Sequence, residues 1–340
     1  MPPSGRAGTG GTGESPRFAG GAGKHGGVTR DVRAEEVGFH GEPGVELAVG
    51  DLVATFLPGL GMTGVSLRHR GRERLHLRDG VEVLRAGRTA GLPLLAPWAN
   101  RLSQWSYEFA GVAVDLEDRS PPVRADPATG LPIHGLLVGQ PGWAVDVLRA
   151  EGDAATLRAS RPVDAPAFPF PHTVTVDVRL EGDRMTVATT VTPTGRRTVP
   201  VSFGWHPFLC LPEADRSAWR LRAPERDHVL LDDRGIPTGA RGDAAAEDAP
   251  IGDRTYDDLY ALRGAPGGEG RELAFALDDG TGIAMVAGEG YPYAQVWVPE
   301  GSPYAALEPM TAPTDALVNG HTPVAEPGDR FTATFALVVT

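Results

Sequence analysis

The amino-acid sequence predicts an all-β fold, an antiparallel sandwich or barrel built from many short strands. Two observations carry this prediction. Apolar residues recur at every second position in one run after another, which is typical of strands with one buried face. The 45 glycines and 31 prolines among 340 residues make up nearly twice the roughly 12% that is average for this pair. The chain must therefore turn often, and long helices are not expected.

The predicted elements follow one another as short alternating runs. Single strands are predicted at Val45–Val49, Leu52–Phe56, Trp143–Leu148 and Phe331–Val339. His172–Leu180 places aliphatic side chains on one face and polar side chains on the other, and Glu181-Gly182-Asp183 then turns the chain. Because Met185–Val191 resumes the apolar face, this stretch predicts a hairpin.

Gly59–Gly64 fits the GxGxxG pattern of dinucleotide-binding loops. That chemistry requires a following helix, whose N-terminus holds the pyrophosphate. The next residues, Val65–Arg70, are strand-like instead. We therefore interpret the glycines as a turn.

Composition divides the chain into a tail and one globular domain. Residues 1–30 are rich in glycine and nearly devoid of large apolar side chains, which predicts a disordered tail. Residues 31–340 have a globular composition and predict a single domain. Within it, the polar stretch Asp232–Asp253 predicts a long surface loop.

Charge and residue scarcity exclude several classes of function. The net charge of −12 argues against nucleic acid or an anionic membrane as a partner. The only lysine, Lys24, lies in the predicted tail, which excludes Schiff-base and P-loop chemistry. The only cysteine, Cys210, excludes an internal disulfide and a multi-cysteine zinc site. Without a membrane-length apolar run or a signal-peptide pattern, we expect a cytoplasmic protein that is a monomer or a weak homodimer.

Four segments carry polar chemistry that a sandwich would not need merely to fold. They are Leu94–Leu102 with Asn100 and Arg101, Leu131–Gly139 with His134, Pro200–Phe208 with His206, and Tyr304–Leu317 with Glu308. An imidazole among aromatic residues, as at His206, suits general acid–base catalysis. Glu308 ends an apolar strand, where burial tends to raise the pKa of a carboxyl and make it a usable base. The histidines and Glu308 lack short chelating spacing, so no metal site is expected.

Together these segments resemble the aldose 1-epimerase (galactose mutarotase) family. The likeness runs from about Val37 to the C-terminus. Its strongest elements are Asn-Arg-Leu at 100–102, His-Gly at 134–135, His-Pro-Phe at 206–208 and Leu-Glu-Pro-Met-Thr at 307–311. Weaker elements are Tyr256–Tyr260, whose aspartate is Asp257 or the adjacent Asp258, and Ala294–Trp297 with Gln295.

The resemblance implies a galactose-mutarotase-like antiparallel β-supersandwich that holds a sugar in an open cleft on one sheet, without a cofactor. The implied activity is that of an isomerase, which interconverts the α and β anomers of a hexose by opening and reclosing the ring. Glu308 would be the general base, His206 the general acid, and His134 a second imidazole on the ring or hydroxyl oxygens. The implied hydroxyl-binding residues are Asn100, Arg101, Asp257 and Gln295.

Three other functions remain open at this point. Val201–His206 resembles a divergent branch that includes hexose-phosphate epimerases, and a hexose 6-phosphate would require an arginine cluster. Candidates for that cluster are Arg68, Arg70, Arg72, Arg74 and Arg88. A non-catalytic sugar sensor on the same scaffold is the second alternative. A glycoside hydrolase or lyase is the third, and it would need a second carboxylate opposite Glu308.

Overall fold

The computed structural model describes residues 31–117 and 123–340. Strands account for 54% of these residues and helices for 6%, which confirms the all-β prediction. The tail predicted for residues 1–30 lies outside the described residues. Within the described ranges, no helix combines the length and the apolar character that a membrane crossing requires.

The strands are numbered in chain order. The first thirteen are β1 (Val32–Phe39), β2 (Glu42–Val49), β3 (Leu52–Leu57), β4 (Thr63–His69), β5 (Arg72–Glu73), β6 (Leu94–Leu95), β7 (Ser106–Phe109), β8 (Val112–Asp115), β9 (Ala144–Glu151), β10 (Ala154–Ala165), β11 (Phe168–Glu181), β12 (Arg184–Pro193) and β13 (Val199–Pro200). The others are β14 (Gly204–Trp205), β15 (Phe208–Leu209), β16 (Arg220–Ala223), β17 (Arg226–Leu231), β18 (Pro237–Ala244), β19 (Glu247–Pro250), β20 (Tyr256–Leu262), β21 (Glu272–Ala276), β22 (Gly282–Ala287), β23 (Tyr293–Val298), β24 (Ala305–Met310), β25 (Val324–Ala325) and β26 (Phe331–Val339). The α-helices among the described residues are α1 (Val81–Arg85) and α2 (Ala316–Asn319), and short 3₁₀ turns cover Pro58–Leu60, Arg216–Ala218 and Glu269–Arg271.

Three antiparallel sheets contain most of these strands. A five-stranded sheet follows chain order from β1 to β5, and a nine-stranded sheet has the order β19-β16-β21-β22-β26-β12-β11-β10-β9. An eight-stranded sheet has the order β18-β17-β20-β23-β24-β14-β6, and β15 pairs with β24 beside that path. The pairs β13–β25 and β7–β8 are small separate ladders.

The predicted hairpin and C-terminal strand lie at the centre of the nine-stranded sheet. Strands β11 and β12 pair antiparallel, and Glu181 faces Arg184 across the turn. Strand β26 lies between β12 and β22 and pairs antiparallel with both. The alternating aliphatic side chains of β11, such as Val176, are fully buried, which is the burial that period two predicts.

One contiguous core joins the nine-stranded and eight-stranded sheets. Val176 of β11, Phe335 of β26 and Val296 of β23 all belong to it. On β23, Ala294 and Val296 point into this core. Since successive side chains of a strand point to opposite faces, Gln295 points to the other side of the eight-stranded sheet. That outer face is left available for a site.

Two stretches, one rich in glycine and one polar, were predicted from the sequence to be a turn and a surface loop. The Gly59–Gly64 segment is a 3₁₀ turn that leads into β4, without a helix, as the turn interpretation requires. The surface loop predicted at Asp232–Asp253 is wrong, because β18 and β19 form within it. These are edge strands of the eight-stranded and nine-stranded sheets, and most of their side chains are exposed on both faces. Such strands carry no apolar alternation to reveal them.

Candidate active site

A cleft of about 580 Å³ lies on the outer face of the eight-stranded sheet. It brings together every site residue predicted from the sequence, although they are spread over more than 200 positions of the chain. The predicted residues that line it are Asn100, Arg101, His134, His206, Asp257, Gln295 and Glu308.

Neighbouring strands place the acidic and amide residues of the cleft side by side. Gln295 on β23 lies directly opposite Glu308 on β24, and Asp257 on β20 lies opposite Trp297 of β23. Asp257 is therefore one diagonal step from Gln295 on the same face, and the Gln295 amide donates a hydrogen bond to its carboxylate at 2.7 Å. Strand alternation sends Asp258 to the opposite face, where its carboxylate lies 3.1 Å from the imidazole of His228.

His206 and Glu308 meet at the floor of the cleft. Nε2 of His206 lies 3.4 Å from Oε1 of Glu308, and both side chains are buried. The imidazole stacks on the ring of Phe208, with centroids 4.3 Å apart and planes 8° apart. The backbone amide of His206 also donates to the carbonyl of Pro93. These contacts fix the ring against Glu308.

Burial moves the pKa values of this pair in opposite directions. Desolvation, with the nearby Asp257 carboxylate, raises the pKa of Glu308 well above its usual range. Desolvation, with a smaller contribution from Arg78, lowers the pKa of His206 to about 3. Burial therefore favours the neutral form of both groups, so that a proton shared by the pair is held more readily by Glu308 than by His206.

His134 reaches the cleft from a backbone conformation that few residues adopt. His134 and Asn100 both have positive φ, 62° and 52°, and the His134 amide donates to the Asn100 carbonyl. The His134 ring packs edge-on against His206, with centroids 5.6 Å apart. Desolvation, aided by His206 and nearby arginines, lowers the pKa of His134 well below its usual range. His134 is therefore a neutral imidazole at neutral pH.

Gly135→Ala should destabilise the protein strongly, because Gly135 holds the His134 turn against the chain. Its φ is +62°, and a Cβ at this position would lie 2.2 Å from the carbonyl oxygen of Ala96. We expect a loss on the order of 3 kcal/mol in the free energy of unfolding, measured by denaturant titration. Gly130→Ala is the matched control, since its φ is also positive but its Cβ would meet nothing within 4 Å. Equal losses in the two variants would contradict the packing argument.

The guanidinium of Arg101 is held from three directions. Its Nε donates to Oδ2 of Asp126 at 2.6 Å, and its Nη1 donates to Oδ1 of Asn100 at 3.2 Å. Gly235 closes the third side, because a Cβ there would lie 2.8 Å from Nη1. Asp126 was not predicted as a site residue. The Asp126–Gly130 sequence signals a turn, but nothing in it signals contact with Arg101.

Three further arginines line the cleft, at positions 78, 88 and 124. None of the three forms an ion pair with a carboxylate in the part of the chain that the structure describes. Of the arginine candidates named from the sequence, only Arg88 lines the cleft. The other four, Arg68, Arg70, Arg72 and Arg74, lie elsewhere and pair with Glu46, Asp51 or Glu213.

Aromatic rings and unpartnered polar atoms complete the cleft. The rings of Phe208, Trp297 and Tyr304 line it and pack on one another, with centroids 5.5 to 5.9 Å apart. Several buried polar atoms of the cleft have no hydrogen-bond partner: Nδ1 of His134, Nδ1 of His206, Oε1 of Gln295 and Nη1 of Arg124. Because buried polar atoms are normally satisfied, these atoms indicate a polar ligand. No group of three or more metal-binding side chains occurs among the described residues.

Comparisons with known proteins show the family and the fold of the chain. The family model described as aldose 1-epimerase matches residues 54–337. A galactose mutarotase-like protein from Clostridium acetobutylicum is 18% identical, with a TM-score of 0.77 over 91% of this chain and 99% of that one. A galactose 1-epimerase from Lactobacillus acidophilus is 10% identical, with a TM-score of 0.70 over 91% and 99%. An aldose epimerase homologue from C. elegans is 14% identical, with a TM-score of 0.68 over the same shares. No curated protein sequence matches the chain.

Proposed function

The chain belongs to the aldose 1-epimerase family, and from that premise we propose that it interconverts the α and β anomers of a free hexose. One observation carries the proposal. An acid–base pair, His206 and Glu308, lies with 3.4 Å between Nε2 and Oε1 at the floor of a cleft lined by unpartnered polar atoms. The proposed partner is a small sugar, and the proposed location is the cytoplasm, in keeping with a single buried cysteine.

Anomer exchange needs two proton transfers and no other chemistry. Glu308 takes the proton of the anomeric hydroxyl, and His206 delivers a proton to the ring oxygen, so the C1–O5 bond breaks and the hemiacetal opens. Rotation about C1–C2 and reclosure on the other carbonyl face give the second anomer. Positioned acid and base groups each contribute about 10²–10⁴-fold to such steps.

The single proton of the pair sets the working state. Burial favours that proton on Glu308, and catalysis requires it on His206. The short contact between the two groups allows that transfer, and the net charge of the pair stays the same. His134, a neutral imidazole beside His206, can form a hydrogen bond with a ring or hydroxyl oxygen of the sugar.

The remaining polar residues suit the hydroxyls of a pyranose. Arg101 and Asn100 offer hydrogen-bond donors to the cleft, and Asp257 with Gln295 offers a carboxylate and an amide. The aromatic rings suit the apolar C–H face of a sugar. Hydrolysis of a glycoside has less support, because it requires a second carboxylate opposite Glu308. Asp126 is ion-paired to Arg101, and Asp257 lies on the same sheet face as Glu308.

The direct test is anomer exchange by purified protein. Freshly dissolved α-glucose and α-galactose should reach equilibrium faster than the spontaneous rate, as followed by polarimetry or NMR exchange spectroscopy. Sugar binding without accelerated exchange would contradict the enzyme proposal and favour the sensor alternative. Absence of both binding and exchange with every sugar tried would contradict a carbohydrate site altogether.

A hexose 6-phosphate is the second candidate substrate, and Arg78, Arg88 and Arg124 favour it. Arginines without carboxylate partners in a cleft are suited to bind a phosphate dianion. Exchange of glucose 6-phosphate should then be faster than that of glucose, and Arg88→Ala should remove the difference. Arg70→Ala is the matched control, because Arg70 is exposed and lies outside the cleft. Equal rates for the two sugars would exclude this candidate.

A further inference from the structure

One hairpin carries both an imidazole of the cleft and the partner of its arginine. Ile133 pairs with Arg101 through an isolated bridge, and Ala125 pairs with Pro132 across the hairpin. The Asp126 amide donates to the carbonyl of Leu131. The hairpin that presents His134 therefore also presents the carboxylate of Asp126 to Arg101.

The Asp126 carboxylate accepts hydrogen bonds from its own turn and from Arg101. Oδ1 accepts from the backbone amide of Ala128 at 3.1 Å, and Oδ2 accepts from the hydroxyl of Thr129 at 3.0 Å. Oδ2 also accepts the short bond from Nε of Arg101. The side chains of Asp126 and Arg101 are 8% and 16% exposed, so water competes little for this ion pair.

The opposite side of Arg101 is closed by the β17–β18 turn. Gly235 has φ +75°, and its missing side chain leaves room for the guanidinium: a Cβ would lie 2.8 Å from Nη1 and 3.4 Å from Cζ. The Gly235 amide donates to the carbonyl of Asp232, which fixes the turn. Arg101 is thus confined between a carboxylate and a backbone wall.

We propose that Asp126 is a positioning residue, which holds the guanidinium of Arg101 in the orientation that binds sugar hydroxyls. Arginine has many rotamers, so an unanchored Arg101 would lose conformational entropy when sugar binds, and this loss would lower the affinity. Nε uses one of the five N–H donors of the guanidinium on Asp126 and Nη1 uses a second on Asn100, so three donors remain for sugar hydroxyls. The inference rests on the proposed sugar-binding role of Arg101.

Asp126→Asn isolates the anchoring role from the turn. In this variant the side-chain Oδ1 keeps the bond from the Ala128 amide, and the side-chain Nδ2 donates to the Thr129 hydroxyl. Nδ2 also faces Nε of Arg101, and because both groups are donors the anchoring bond is lost. We expect about a tenfold increase in KM, which corresponds to the loss of one charge-assisted hydrogen bond. The value of kcat should change less than about twofold. Thr129→Val removes only contacts within the turn, those of the hydroxyl with Asp126 and with the Leu131 amide, and should leave KM within about twofold.

A double-mutant cycle with Arg101→Ala separates positioning from direct sugar contact. If Asp126 acts through Arg101, Asp126→Asn raises KM in the wild-type background and has no further effect in Arg101→Ala. The same increase in both backgrounds would overturn the inference, because Asp126 would then act on the sugar or on the fold independently. An unchanged KM in folded Asp126→Asn would overturn it as well.

Gly235→Ala tests the same point from the other side, with Asp126 intact. The added methyl group should displace the guanidinium and raise KM about as much as Asp126→Asn does. Gly239→Ala is its control, because Gly239 also has positive φ and a Cβ there would meet nothing within 4 Å. If the two glycine variants raise KM equally, backbone strain explains the effect and the wall is not a positioning element.

The Nε–H resonance of Arg101 gives a readout that does not depend on activity. In wild-type protein it should exchange slowly with solvent and be absent from Arg101→Lys, which assigns it. Asp126→Asn should abolish that protection, and Thr129→Val should retain it. Unaltered protection in Asp126→Asn would overturn the inference whatever the activity. Protection lost as expected in a protein without anomer exchange would retain the anchor and reject the proposed function.

Discussion

Glu308→Gln should lower kcat for anomer exchange by about 10²–10⁴-fold, the usual contribution of a positioned base. Glutamine keeps the volume and most of the hydrogen-bonding shape of glutamate but cannot accept the hydroxyl proton. KM should change little, because the proton is transferred mainly in the transition state. Polarimetry at several sugar concentrations separates the two constants. Near-wild-type kcat in a folded Glu308→Gln protein would reject Glu308 as the base.

The stability of the same variant supplies the control for folding. Since burial raises the pKa of Glu308, the unfolded chain ionises first as pH rises from about 4. The contribution of Glu308 to the stability of the wild type therefore falls as pH rises toward the folded-state pKa. Glutamine has no such titration, so Glu308→Gln should become progressively more stable than wild type over that range. Thermal unfolding at several pH values measures this difference.

The pH profile of kcat/KM should reflect a pair that works with one proton. Adding a second proton at low pH, or removing the only one at high pH, should abolish exchange. Because the pKa of His206 is lowered to about 3, the acidic limb should lie far below the ordinary histidine range. The basic limb should follow the raised pKa of Glu308. A fall in kcat/KM between pH 8 and pH 5 would instead indicate that activity requires the pair without its proton.

His206→Asn should also lower kcat by about 10²-fold or more, because asparagine cannot deliver a proton to the ring oxygen. The effect on KM should again be modest. His206 is stacked on Phe208 and buried at the cleft floor, where bulk water has little access to replace the imidazole as a proton donor. Rates at saturating sugar, measured by NMR exchange, test this expectation.

Two companion variants distinguish chemistry from packing at His206. His206→Ala leaves a space beside Phe208 that free imidazole can enter, and added imidazole should restore part of kcat. His172→Asn removes another buried histidine, whose Nδ1 contacts the Phe170 carbonyl outside the cleft. It should change stability without changing kcat. If imidazole restores nothing and His172→Asn lowers kcat equally, the loss would be one of packing.

Elements of local origin could be predicted from the sequence. The period-two run that forms β11, the turn at Glu181–Asp183 and the C-terminal strand β26 are observed where the alternation predicts them. Each has one face in the core, and such burial demands an apolar residue at every second position. Strands β18 and β19 escaped prediction because, at sheet edges, both faces meet solvent and no alternation is imposed.

The candidate site residues were found through short motifs, whose order along the chain is itself a sequence property. Their meeting in one cleft depends on β20, β23, β24 and β14 becoming neighbours. These strands become neighbours because whole sheets are buried, and no local sequence pattern predicts their pairing. The tertiary structure also puts Asp257 rather than Asp258 in the cleft, because strand register sends the two side chains to opposite faces of the sheet.

The sequence by itself determined the fold class and the hairpin, because local periodicity carries that information, and the set of acid, base and hydroxyl-binding candidates followed from short motifs that resemble those of a known family. Only the tertiary structure decided what surrounds them. The Asp126 carboxylate on Arg101, the Gly235 wall and the arginines at 78 and 124 come from loops whose sequences signal only turns or surface. Their positions follow from long-range packing, and the same packing removes water from Glu308 and His206 and so sets the pKa values of both groups.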